Sequence, residues 1–189
     1  MQNYLYRYWI TMIKKYLILT FITLLFYTPV FSAGTNSSDK DGAWKTGDDD
    51  KLYMKGKNSN FKKAIDAINQ AKKYAKKEKL DKAKNRFNDA IKFLILANEE
   101  NPNEPDTLNY LGYSFRKVGD FSMAEIYYKQ GLAINPEHIG INEYLGELYV
   151  ETNRIDKAKE RLKVLENCKC EEFEELQNLI SKYWFIINF

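Results

Sequence analysis

The sequence predicts an all-α protein, a right-handed α-solenoid of about three helix-turn-helix hairpins followed by a C-terminal capping helix. Three observations predict it. The chain matches itself at a spacing of 34 residues: Leu111-Gly112, Ala124 and Asn135-Pro136 recur as Leu145-Gly146, Ala158 and, looking backward, Asn101-Pro102. A fixed period of this length belongs to stacked supersecondary units, each too small to bury its own apolar face. Within the periodic region the apolar residues recur at helical rather than alternating spacing. Gly, Asn and Pro stand where those helical runs end.

Residues 1–32 are expected to lie outside this array, as a signal peptide. Lys14-Lys15 precede the apolar run Tyr16 to Tyr27, which only Thr20 and Thr23 interrupt, and Thr28-Pro29-Val30-Phe31-Ser32-Ala33 follows. A short positive region, an apolar core and small residues at the exit are the parts of a secretory signal. The core is shorter than the ~20 residues a membrane-spanning helix needs. An uncleaved anchor is the competing reading. Cleavage after Ser32 places Val30 and Ser32 at the two recognised positions, whereas cleavage after Ala33 would place bulky Phe31 at one of them. Met12 opens a more conventional signal than Met1 does. The expected location is therefore outside the cytoplasm: periplasmic in a Gram-negative source, otherwise secreted or envelope-associated.

The charge follows the same division. The formal net charge of +3 comes from Arg7, Lys14 and Lys15, because residues 1–32 hold no Asp or Glu. The remainder is balanced and carries no general footprint for nucleic acid. Residues 33–58, rich in Gly, Ser, Asn, Asp and Lys, show no periodicity and read as a disordered linker.

The helical domain spans residues 59–185. In its first hairpin, 59–102, Phe61, Ala64, Ile65, Ile68 and Ala71 form one stripe, and Ala83, Phe87, Ala90, Leu94 and Ala97 form another. This unit is degenerate. It lacks the Leu-Gly pair, and its second helix is about two turns too long. In the unit 105–138, Leu108, Leu111, Gly112 and Phe115 fall at helical spacing. Gly119-Asp120 stops one helix and caps the next, and Ala124, Tyr128 and Gly131 share a face. The unit 139–172 keeps Leu145, Gly146, Tyr149, Ala158 and Leu162, with Asn153 in the turn position of Gly119. Asn142 and Cys170 depart from the preceding unit, where Leu108 and Pro136 stand. Phe173, Leu176, Leu179 and Ile180 give residues 171–185 a single apolar face. The glutamates of the first turns stand where the helix dipole favours them. That is the character of a capping helix, and residues 186–189 form an apolar tail expected to pack over it.

Leu108, Leu111-Gly112, Phe115, Ala124, Tyr128 and Pro136 resemble the tetratricopeptide repeat pattern W-x2-L-G-x2-Y…A-x3-F…P. The resemblance is strong over 105–172 and weak over 59–101. It implies a protein-binding scaffold in which the first helix of each unit lines a concave groove. It points to Asn109, Tyr113, Arg116 and Lys117 in one unit and Glu143, Glu147, Val150 and Glu151 in the next as partner-binding residues. Three glutamates on one stripe would repel a peptide carboxylate, so a basic or polar extended segment, or a helix, is the expected ligand. A solvated helix face is the plainer alternative.

Two further features stand apart from the groove. The first hairpin is densely basic, with Lys62, Lys63, Lys72, Lys73, Lys76, Lys77, Lys79, Lys82 and Lys84, and could face anionic lipid headgroups or cell-wall polymer. Cys168 and Cys170 are expected to form a disulfide in an oxidising compartment, with a thiol-disulfide or metal function as the weaker reading. No nucleophile matches the single His138, no Gly-rich phosphate loop appears, and no metal-ligand cluster is visible. The sequence therefore points to a non-enzyme without a cofactor.

Overall fold

The computed structural model describes residues 56–188, through which seven α-helices follow one another. They are α1 (Ser59–Ala75), α2 (Leu80–Glu100), α3 (Pro105–Val118), α4 (Phe121–Ile134), α5 (Ile139–Glu151), α6 (Ile155–Leu165) and α7 (Glu171–Asn188). The all-α helical-repeat solenoid expected from sequence is the observed fold. Residues 1–55, and with them the signal segment and nearly all of the linker, lie outside the described residues, as does Phe189. Among the described residues no helix is long and apolar enough to cross a membrane.

Local chemistry sets the helix ends. The Asn58 side chain accepts from the Phe61 N–H at 2.7 Å and starts α1. Pro105 occupies the first turn of α3, where its missing N–H costs nothing, and the Glu104 carboxylate caps the Thr107 N–H. The Asp120 carboxylate caps α4 through the Met123 N–H, and the His138 ring nitrogen Nδ1 accepts from the Ile141 N–H at the start of α5. The ends of α3 and α5 are copies of one another. Gly119 takes φ 91° and Asn153 takes φ 58°, both left-handed. In each case the next residue's N–H reaches back five positions, Asp120 to the Phe115 carbonyl at 2.9 Å and Arg154 to the Tyr149 carbonyl at 2.7 Å. With the Gly119 N–H on the Arg116 carbonyl and the Asn153 N–H on the Val150 carbonyl, each helix ends in a Schellman motif that satisfies carbonyls the helix leaves open.

The helices pair as α1–α2, α3–α4 and α5–α6, each hairpin packing on the next through one continuous apolar core. Small residues set the approach distances. A Cβ on Gly112 would lie 2.5 Å from Tyr128 Cδ1, so only glycine lets the fully buried Tyr128 ring cross α3. The equivalent Gly146 is covered differently. Leu162, smaller than Tyr128, is half-buried, and a Cβ on Gly146 would instead meet Leu176 of α7 at 2.5 Å. The capping helix thus fills space that the hairpin leaves open. Phe115 is only partly buried and stacks on Tyr127 with ring centroids 5.4 Å apart, so it flanks the core instead of filling it.

One sequence irregularity finds its explanation in packing. Asn142, at the position that Leu108 fills in the preceding unit, is fully buried with its amide spent on three partners. It donates to the Pro136 and His138 carbonyls, both at 3.0 Å, and accepts from Arg161 at 3.2 Å. It therefore ties the α4–α5 turn to α6. The apolar tail begins as helix: α7 runs on to Asn188 rather than stopping at 185.

Candidate functional site

The first helices of successive hairpins approach one another, α3 against α5 and α5 against α7, whereas α4 and α6 are not packed together. The array therefore curves with α3 and α5 on its inner side. Every residue from Thr107 to Ser114 of α3 is buried, and α5 is nearly as enclosed.

Tyr113 stands at the centre of this side. Its ring meets Phe87 edge-on at 5.9 Å between centroids and Tyr144 at 5.2 Å. Three cations surround it: Lys72 Nζ at 5.4 Å and Lys117 Nζ at 5.3 Å from its centroid, and the Arg116 guanidinium carbon at 5.9 Å. The same guanidinium lies 5.6 Å from the Tyr144 centroid. Cations over ring faces are attracted by the aromatic quadrupole. A second pair, Phe61 edge-on to Tyr110 at 5.6 Å, extends the aromatic row along α3.

Arg116 is buried and forms ion pairs with Glu147 and, at 2.9 Å, Glu151. Burial alone would lower its pKa, but the two carboxylates outweigh burial and hold it charged. The acidic stripe expected from sequence is thus largely compensated. Glu147 and Glu151 answer Arg116, and Glu143 sits apart among other carboxylates. Burial first, then the Glu147 charge and the neighbouring Glu175 and Glu172, push its pKa far above the ordinary 4.5, so it stays protonated. Burial and the same crowd of carboxylates raise Glu175 as well.

Of the groove residues read from the repeat pattern, Tyr113, Arg116, Lys117, Glu147 and Glu151 come together in one cluster. Asn109 and Glu143 are buried beside it, and Val150 belongs to the core. Asn109 is fully enclosed, and neither its amide nitrogen nor its oxygen has a hydrogen-bond partner. Sequence reasoning missed Tyr144, although it lies one period after Tyr110. It also missed Lys72 and Phe87, which the degenerate first hairpin gave no register to place.

A second polar cluster joins the starts of α1, α3 and α5. Lys57 bridges Glu104 at 2.8 Å and Asp106 at 2.9 Å, and Asp106 meets His138 Nε2 at 3.2 Å. Because His138 Nδ1 accepts the Ile141 N–H, its Nε2 carries the proton that reaches Asp106. Beside this cluster opens a cleft of about 260 Å³ lined by Lys57, Phe61, Glu100, Glu104 and Thr107. Cys168 and Cys170 are joined as a disulfide across Lys169, which takes φ 52°. Among the described residues no three His, Cys, Asp or Glu side chains are grouped to hold a metal ion.

The buried carboxyls set a pH dependence. A carboxyl whose pKa is raised on folding favours the folded state while protonated, and this contribution fades as the unfolded chain ionises above about 4.5. Stability should therefore fall as pH rises from that point through neutrality. Glu143→Gln keeps the shape, removes the titration and should flatten the slope. Thermal melts of both proteins between pH 4 and 8 check this, and parallel curves would show that Glu143 titrates normally.

Fold and residue pattern together define an all-α helical-repeat protein. Residues 116–183, fewer than half of the chain, match the family described as tetratricopeptide repeat. No curated protein matches the chain in sequence. Among solved structures, the type III secretion translocator chaperone SycD of Yersinia enterocolitica is similar with a TM-score of 0.50 at 12% identity, over 73% of this chain and 94% of that one. The first tetratricopeptide domain of RPAP3 (Spaghetti) bound to an HSP90 peptide gives 0.48 at 19%, over 67% and 94%. SycD of Y. enterocolitica in complex with a peptide of the translocator YopD gives 0.47 at 17%, over 65% and 90%.

Proposed function

We propose that this chain is a non-enzymatic interaction scaffold or adaptor of the cell envelope, which takes a peptide or helix of a partner protein on the inner side of α3 and α5. The observation that carries the reading is the Tyr113 cluster, where rings from α2, α3 and α5 and cations from α1 and α3 converge. Aromatic and Arg side chains are the usual anchors of protein recognition; here Tyr113 and Arg116 are themselves buried, so a partner would meet the cluster through the exposed Lys117 and Glu151 and the half-buried Glu147 at its edge. Arg116, Lys72 and Lys117 set against Glu147 and Glu151 present both signs of charge, which favours a polar ligand that supplies both donors and acceptors over one of a single charge. Export to the envelope rests on the charge and apolar pattern of residues 14–33.

The test is affinity purification of the full chain from the envelope fraction, with variants in parallel. Tyr113→Leu combined with Lys117→Glu should lose a partner that Ile126→Ser, a change on the exposed part of α4, retains. If the double variant keeps its helical circular dichroism and the same partner, binding does not use this face.

A further inference from the structure

We propose that the tip of the α1–α2 hairpin is a docking surface for an anionic phospholipid bilayer. This surface is separate from the inner side of α3 and α5 and does not depend on the peptide-binding reading. Lys73 lies in the last turn of α1, Lys76, Lys77 and Lys79 make the turn, and Lys82 and Lys84 open α2. All six are exposed, and none is in an ion pair among the described residues. Only Glu78 and Asp81 oppose them within the segment 73–84. Leu80 projects from their midst with 70% of its surface exposed, more than any other large apolar residue described. Tyr74 supplies a ring 5.9 Å from Lys82 Nζ.

Helix stability alone would not select this tip. Lys79 occupies the N-cap of α2, where it has no acceptor to offer, and no side chain caps that end. Lys82 lies near the positive end of the helix dipole, which disfavours a cation. Glu78 holds φ 56°, where Gly or Asn is the ordinary choice. With the exposed Leu80, these are departures from local preference clustered within five residues, on a hairpin whose two helices are otherwise well packed. Such clustering marks a surface kept for another purpose.

Lysines meeting headgroup phosphates around an apolar residue that enters the acyl boundary is the chemistry of an interfacial contact. A soluble polyanion would use the lysines but gain nothing from Leu80. The basic surface is local, since the chain beyond residue 32 balances in charge, so attraction would orient the protein tip-first.

The test is co-sedimentation of the full chain with vesicles of phosphatidylcholine, with and without phosphatidylglycerol. Arg7, Lys14 and Lys15 beside the apolar run 16–27 also favour anionic vesicles, so a variant with all six tip lysines replaced by Gln sets the background, and the anionic-minus-neutral difference above it reports the tip. That difference should shrink as salt rises and fall about fivefold for each lysine replaced by Gln among Lys76, Lys77 and Lys79. Leu80→Ser should weaken it several-fold, with circular dichroism unchanged because these residues are exposed. Equal binding to both vesicles, or full anionic binding by the triple Gln variant, would overturn the proposal. So would Leu80→Ser binding like the parent while soluble polyphosphate displaces both, which would make the site a polyanion contact.

Discussion

Arg116→Ala is expected to destabilise the protein by about 3–5 kcal/mol, the cost of leaving a buried ion pair half-broken. The side chain is 2% exposed, while its partners Glu147 and Glu151 are 23% and 40% exposed. Water screens Glu151 well, so Glu147 carries most of the loss. With the guanidinium gone, Glu147 would face Glu143 without a counter-charge, in a region already crowded with carboxyls. Arg116→Met with Glu147→Leu removes both charges and should recover much of the lost stability. Urea denaturation midpoints of the parent, the single and the double variant decide this. A loss below about 1 kcal/mol for Arg116→Ala would mean the pair is effectively solvated.

Tyr128→Ala should cost a similar amount, about 3–5 kcal/mol, by opening a cavity between α3 and α4. The ring is fully buried and lies across Gly112, whose missing side chain exists to receive it. Tyr128→Phe separates the ring from its hydroxyl. That hydroxyl is buried next to Arg116 without a hydrogen bond of good geometry. Its removal should therefore change stability by no more than about 1 kcal/mol. If Phe proved as damaging as Ala in the same denaturation experiment, the hydroxyl would be an essential partner of Arg116, and the ring's packing would matter less than its size suggests.

The close approach of helices at Gly112 and Tyr128 is legible in the amino-acid pattern because it belongs to a repeat. Leu111, Gly112 and Ala124 recur one period later as Leu145, Gly146 and Ala158, so the need for a small residue at the helix approach is written twice, although Leu176 of α7 meets Gly146 where Tyr128 meets Gly112. The αL ends at Gly119 and Asn153 are legible for the same reason, with Asn tolerating what Gly adopts freely. Asn142 is not, because its role depends on carbonyls of the preceding turn and on Arg161 from another helix. The site is half legible. The repeat pattern points to Tyr113, Arg116, Glu147 and Glu151, but formal charge misjudges their balance. Counting glutamates on a stripe cannot tell that two of them share Arg116 and that burial keeps Glu143 neutral.

The sequence by itself determined the helical character of this protein, the 34-residue period and the places where chain direction reverses. These follow from side-chain spacing and from residues with special backbone freedom, which act within a few positions along the chain. Only the tertiary structure decided that Lys72 and Phe87 of the irregular first hairpin reach Tyr113, and that Leu176 of α7 fills the space over Gly146. It alone placed the buried Arg116 between Glu147 and Glu151. Those outcomes depend on distances between segments far apart in sequence and on exclusion of water, and neither is written in local spacing.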